Sequence, residues 1–348
     1  MRKSYQESIA LAMHDILDRN QNAVLLGQGV SDPTRIFGTT KGLVEKFGTD
    51  RVIDMPIMEE GMTGLAIGMA LNGLYPVQTH IRMDFLLLAM NQLVNMAAKY
   101  RYMYGGSFEV PMLIRAVVGR SWGQGPQHSQ SLQSLFAHIP GMTVIMPSTA
   151  EDAYQSYLHA AQRYRNPVLS IEHRFLYHLT FDSRQDSTRQ TNPFMARVVQ
   201  EGDHVTIVAT SYMVQEAQRA DSWLRKRSTI TCEIIDPHLV SEIDHELILN
   251  SLRKTGHLIV ADTSWCKYGV AAEVCRGILE NDPNILKKPA ITLGMKPSPC
   301  PTSHRLEDEF YPDMSDLVRT IVQITELGIK APTKAYAKNL RKQFRGPF

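Results

Sequence analysis

Strand-like apolar runs alternate with helix-like segments twice along this chain, and that rhythm restricts its fold more than any other feature. Residues 4–20 have the spacing of an amphipathic helix, and Asn22-Ala23-Val24-Leu25-Leu26 then runs as a short buried strand into Gly27-Gln28-Gly29. A strand at Arg51–Asp54, a helix over 61–72, a strand over 75–81, a long helix over 86–106 stopped by Gly105-Gly106 and a core strand over 110–119 follow. The first run closes with a strand over 142–148, a helix over 150–164 and a strand over 167–173. A polar stretch at 181–193 has little to bury and reads as a linker. Beyond it, strands over 204–210, 230–236 and 257–262 alternate with helices over 213–226, 243–253 and 269–280. Alternation of this kind predicts mostly parallel sheets. The expected fold is α/β, with two doubly wound domains at 1–182 and 195–327, a linker at 183–194 and a basic tail at 328–348.

Composition narrows the function classes. With 348 residues, 43% of them hydrophobic and 21% charged, the chain can bury two sizeable cores. Its formal net charge of +2 gives no whole-chain case for nucleic acid or an anionic membrane. No segment is long and apolar enough to span a bilayer, and Met1-Arg2-Lys3-Ser4 lacks a signal peptide's apolar core, so a cytoplasmic protein is expected. Cys232, Cys266, Cys275 and Cys300 form no Cys-x-x-Cys pair, which predicts neither a zinc site nor a disulfide framework. The tail holds several Lys and Arg and no acid, and is expected to be solvated or to dock on a partner.

Three short segments carry chemistry. In Asp54-Met55-Pro56-Ile57-Met58-Glu59-Glu60-Gly61, two carboxylates stand at the front of a buried helix. Acids there meet unpaired backbone N–H groups and the positive end of the helix dipole, which stabilises a helix by roughly 0.3–1 kcal/mol. They also follow a strand, and the carboxyl edge of an open α/β sheet is where ligands bind. The glycine-rich stretch 119–132 follows a core strand in the same way and contains His128. Asp84-Phe85, after the 75–81 strand, falls on the same expected edge, where Phe85 can pack in the core or stack on a ligand.

The motifs "RVIDMPIMEEGMTGLAIGMALNGLYPV", "NQLVNMAAKYRYMYGG" and "GPQHSQSL…GMTVIMPSTAEDA" together resemble the β subunit of the thiamine-diphosphate-dependent first component of 2-oxo acid dehydrogenases. The resemblance runs from about residue 4 to about residue 325. It implies a pyrimidine-binding domain followed by a transketolase C-terminal-like domain, working in an α2β2 assembly. Glu59 matches the acid of the family's Pro-Ile-x-Glu-x-Gly motif and would hydrogen-bond the cofactor's aminopyrimidine. Phe85 matches the aromatic that packs on that ring, and Ile57 lies beside it in the motif. His128 matches the histidine of Gln-His-Ser-Gln, near the substrate and the incoming lipoyl group. Glu60, often neutral in relatives, is left as a helix cap.

The resemblance also implies partners. The family's Gly-Asp-Gly…Asn motif for magnesium and diphosphate is missing here, so Mg2+ and that half of the thiamine diphosphate site are expected on an α subunit. A lipoyl acyltransferase and a small 2-oxo acid complete the set, and a structural K+ site on backbone carbonyls near 112 and 160–167 is left unassigned. Gln28-Gly29 stands where relatives carry acids of the tunnel joining paired active sites. Arg82 is expected in an ordinary surface ion pair. A split transketolase, or another ketol-transferring or carboligating enzyme with the same cofactor, is the alternative; a non-catalytic docking subunit is the third reading.

Overall fold

The computed structural model describes residues 2–32, 34, 36–119, 123–182 and 192–335. The chain divides into two compact units, one of residues 1–119, 135–194 and 346–348, the other of 120–134 and 195–345.

The first unit is built on six parallel strands: β2 (Ala23–Gly27), β3 (Val52–Asp54), β4 (Tyr75–His80), β5 (Met112–Val118), β6 (Thr143–Ile145) and β7 (Pro167–His173), in the order β3-β2-β4-β5-β7-β6. A short antiparallel pair, β1 (Arg2–Ser4) with β8 (Thr180–Asp182), lies beside this sheet. The order reverses at β2, whose neighbours are β3 on one side and β4 on the other, and such a reversal opens a crevice at the strands' carboxyl ends. Strands β5 and β7 are buried along their whole length, as parallel strands covered on both faces must be. The helices Tyr5–Arg19 and Ala150–Arg163 pack together, each begun by a capping box, Ser4 with Glu7 and Thr149 with Asp152.

A helix was expected over 86–106, but the backbone runs there as a 3₁₀ segment (Met83–Ala89), a π segment (Gln92–Ala97) and one α turn (Tyr100–Met103). The buried residues explain the change of pitch. Met83, Leu86 and Ala89 recur every third residue and line up on a three-residue turn, whereas an α-helix would rotate them apart. The expected linker ends in Asn192-Pro193-Phe194, where Phe194 is buried against Tyr164 at 4.6 Å and His159 at 5.3 Å; the linker's residues 183–191 lie outside the described residues.

The second unit has five strands in the order β13-β12-β10-β11-β9: β9 (Arg197–Gln200), β10 (Val205–Ala209), β11 (Cys232–Asp236), β12 (Leu258–Trp265) and β13 (Ile291–Met295). Four run parallel, and β9 is an antiparallel edge strand. Helices Tyr212–Arg225 and Met314–Thr325 bury Met213, Ala217, Leu317 and Ile321 with Ile207 and Ile259 in one apolar core. The described start of the tail is docked, contrary to a solvated tail. Ile329 and Ala331 pack on that core, and Lys334 pairs with Asp316 at 2.7 Å while donating to the carbonyls of Asp308 and Tyr311. Residues 336–348 lie outside the described residues. All four cysteines are free, with Cys232 and Cys300 buried.

One polar cluster sits in the first core. Arg115 in β5 and Glu172 in β7 are fully buried and share two hydrogen bonds, of 2.6 and 3.1 Å. The hydroxyls of Tyr157 and Tyr177 each donate to the same carboxylate at 2.5 Å. Burial disfavours the guanidinium's charge, but the attraction of Glu172 outweighs it and raises the Arg115 pKa. Removing one partner strands the other charge, so Arg115→Leu should lower the unfolding free energy by about 3–5 kcal/mol in a denaturant titration. A loss below about 1 kcal/mol would show that the tyrosines satisfy Glu172 alone.

Candidate active site

The crevice expected at a switch point is framed here by the loops after β2, β3 and β4. Gly27 ends β2 where a Cβ would meet the carbonyl oxygen of Thr79 at 2.6 Å, so only glycine lets β2 and β4 approach this closely. Asp54, at the end of β3, ties two loops together: it accepts from the Gly29 N–H at 3.0 Å and from both the N–H, at 3.1 Å, and the hydroxyl of Ser31. Partial burial would raise its pKa, but these hydrogen bonds prevail and hold the carboxyl below its usual range.

Beyond Asp54 the chain passes Pro56 and enters the helix Glu59–Leu71 at its first residue. Glu59 is 9% exposed. Its backbone is held by a buried relay. The amide of Gln78, in β4, donates to the hydroxyl of Thr63 at 2.7 Å, and that hydroxyl donates to the carbonyl of Glu59 at 2.7 Å. The first turn of the helix is thereby pinned to the neighbouring strand. Glu60 does not cap the helix with its side chain; it accepts from Gln92 at 3.0 Å, and no side chain caps the N-cap residue Met58. The π segment brings Gln92 to it, so the two helical stretches are tied at this edge.

Ile57 is 74% exposed and Phe85, in the segment after β4, 37%. Met58, Leu87 and Leu88 add exposed apolar surface on the same two segments. Arg82 is buried rather than placed in a surface pair, and it lowers the pKa of the buried Arg174, whose shift is due first to burial. His80, at the end of β4, is buried with an unpartnered Nε2, and burial lowers its pKa to about 4, so it is neutral at physiological pH. Thr63, Gln78, Asp54 and His80 escaped sequence reasoning. A polar pair inside an otherwise apolar helix and strand was the available signal for the first two.

His128 belongs to the second unit, whereas Glu59, Ile57 and Phe85 belong to the first. It is half-buried, on the loop 123–132 that leads into the short helix Gln133–Ala137. The loop starts tight against the second unit's own chain: Gly123 has φ +65°, and a Cβ there would meet the carbonyl of Thr302 at 2.4 Å. Farther along, Tyr311 donates to the Ser129 carbonyl at 3.3 Å and Ser264 to the Ser131 carbonyl at 2.6 Å.

Residues 2–180 match the model of the transketolase pyrimidine-binding domain, and residues 195–317 that of the transketolase C-terminal domain. The chain is 34% identical over 325 residues to the mitochondrial pyruvate dehydrogenase E1 component subunit beta of Saccharomyces cerevisiae, covering 92% of this chain and 88% of that one. This chain belongs to that E1 β-subunit family. The Bos taurus subunit is 34% identical over 327 residues, covering 92% of this chain and 90% of its own length, and the Rickettsia conorii subunit 33% over 325 residues, covering 93% and 98%. Among solved structures, a chain titled "Split gene transketolase, inactive beta4 tetramer" superposes with a TM-score of 0.73 at 21% identity, covering 94% of this chain and 99% of that one. That likeness shows the shared fold.

The relay beneath Glu59 in this E1 β-type chain is testable. Thr63→Val keeps the shape but leaves the buried Gln78 amide without its acceptor, which should cost about 1–3 kcal/mol of unfolding free energy. Thr63→Ser keeps the hydroxyl and should recover most of that loss in the same denaturant titration. Equal stabilities for the two variants would contradict the relay.

Proposed function

We propose that this chain, with an α subunit, decarboxylates a 2-oxo acid and passes the acyl group to a lipoyl domain. The observation that carries the proposal is Glu59: a carboxylate largely withdrawn from water, fixed at a helix's first residue on the carboxyl edge of the sheet, with exposed apolar side chains on both flanking segments. A shielded acid beside apolar surface fits an aromatic heterocycle that presents a ring nitrogen to the acid. Thiamine diphosphate, when bound, supplies the carbanion and electron sink that 2-oxo acid decarboxylation requires.

In this reading Glu59 hydrogen-bonds the aminopyrimidine and holds the proton that favours its imino tautomer. Phe85 packs on the ring and Ile57 borders it. His128 orients the substrate or moves a proton during acyl transfer. The exposure of Ile57, Met58, Phe85, Leu87 and Leu88 supports a covering partner, the α subunit of an α2β2 assembly, which would bring the Mg2+ ligands for the diphosphate. A structural K+ on backbone carbonyls near 112 and 160–167, a lipoyl acyltransferase partner and cytoplasmic residence complete the proposal. Among the described residues no helix is long and apolar enough to cross a membrane. The split-transketolase alternative leans on a fold likeness at 21% identity, and relatives at 33–34% identity favour the dehydrogenase.

Glu59→Gln in the assembled complex should lower 2-oxo acid decarboxylation by about 100-fold or more, measured with an artificial electron acceptor, while the chain keeps its unfolding midpoint. Decarboxylation within about threefold of the unaltered complex would remove Glu59 from the role.

A further inference from the structure

Asp262 lies inside β12, three residues before its end, in a domain to which the proposed chemistry assigns no acid, and it is fully buried. A buried carboxylate is costly unless it is paired or hydrogen-bonded. Its Oδ1 accepts from Gln133 Nε2 at 2.7 Å and from the Thr210 hydroxyl at 2.7 Å, the Thr263 N–H donates to that same hydroxyl at 3.4 Å, and Oδ2 has no hydrogen-bond partner among the described residues. Gln133 also lies 3.4 Å from the Thr263 hydroxyl and accepts from the Ser131 hydroxyl at 2.7 Å. The hydroxyls of Ser131 and Thr263 are 3.1 Å apart. With Ser264 donating to the Ser131 carbonyl at 2.6 Å, the side chains of Ser131, Gln133, Asp262, Thr263 and Ser264 close a clasp between residues 131–133 and residues 262–264. Some 130 residues separate the two ends of this clasp.

We infer that Asp262 is a positioning residue, which acts through Gln133 and Ser131 to hold the loop carrying His128 in one conformation. The inference rests on the proposed role of His128. Ser131 is three residues from His128 and Ser129, held by Tyr311, is the next residue, so the loop is fixed immediately beside the imidazole on its C-terminal side. Every partner in the clasp, Tyr311 included, is nine-tenths or more buried, so water does not compete for these bonds. Burial raises the Asp262 pKa against the opposing hydrogen bonds, and a neutral amide that keeps the acceptor oxygen should therefore be tolerated there.

The test uses Gln133→Leu, Asp262→Asn, Asp262→Ala and His128→Ala in the assembled complex, with hydrogen exchange of the 123–134 amides read by mass spectrometry in each. Gln133→Leu removes the clasp's central donor and acceptor without touching the acid. It should speed exchange across the loop and lower the turnover of a lipoyl domain by about 10- to 100-fold, with decarboxylation measured by an artificial acceptor held within about twofold. Asp262→Asn, whose Oδ1 still accepts from Gln133 and Thr210, should stay close to the unaltered protein in all three readings, whereas Asp262→Ala, which removes that acceptor, should match Gln133→Leu; loop exchange in Asp262→Ala equal to that of the unaltered protein would overturn the role of Asp262. Unchanged exchange in Gln133→Leu, or equal loss of both reactions, would overturn the clasp. Full lipoyl acylation by His128→Ala would instead overturn the role of His128 on which the inference stands.

Discussion

A parallel sheet covered on both faces has no room for chemistry along its length, and this constraint shapes the rest of the structure. Strands β5 and β7 are buried from end to end, so polar side chains inside must be fully paired or moved to the carboxyl edge. The first unit does both. Arg115 and Glu172 pair inside with two tyrosines, leaving only Arg115 Nη1 of that cluster without a partner among the described residues, and Asp54, Glu59 and Phe85 stand at the ends of elements around the reversal of strand order. The acid proposed for the chemistry is thus withdrawn from water by the same architecture that excludes it from the core.

Two buried polar relays serve the two edges. In the first unit, Gln78 and Thr63 reach the backbone of Glu59; in the second, Asp262, Gln133 and Ser131 reach the loop that carries His128. Each joins residues distant in sequence, and each ends on backbone or on a loop rather than on a reacting group. Hydrogen bonds of this sort contribute little net stability but make alternative conformations expensive, because breaking them leaves buried atoms unsatisfied. Precision at the site, more than stability, is what they supply.

Much of this was legible from the sequence. The strand at 167–173 is legible to the residue, because a proline opens a run of apolar and β-branched side chains that an acid and a histidine, Glu172 and His173, bring to an end. The helix expected over 61–72, which runs from Glu59 to Leu71, and the loop bearing His128 followed from the same alternation and from the family motifs. The short strands Arg197–Gln200 and Ile291–Met295 were missed because four or five residues carry too little pattern to be separated from loop. The broken helix after β4 was missed because its pitch answers to what it packs against and not to its own periodicity. The relays were out of reach for a related reason: Gln78 meets Thr63, and Gln133 meets Asp262, only once sheet register and tertiary packing are set. Sequence contiguity also places the His128 loop with the strands that precede it, whereas its hydrogen bonds join it to the second unit.

In the proposed reading this chain holds one side of a thiamine diphosphate site and an α subunit holds the other. Calorimetric titration of thiamine diphosphate with Mg2+ into the chain alone and into its complex with the α subunit tests that claim most directly. Saturable binding by the complex, with none by the chain alone, is the predicted result. Tight binding by the isolated chain, or no binding by the complex, would contradict it.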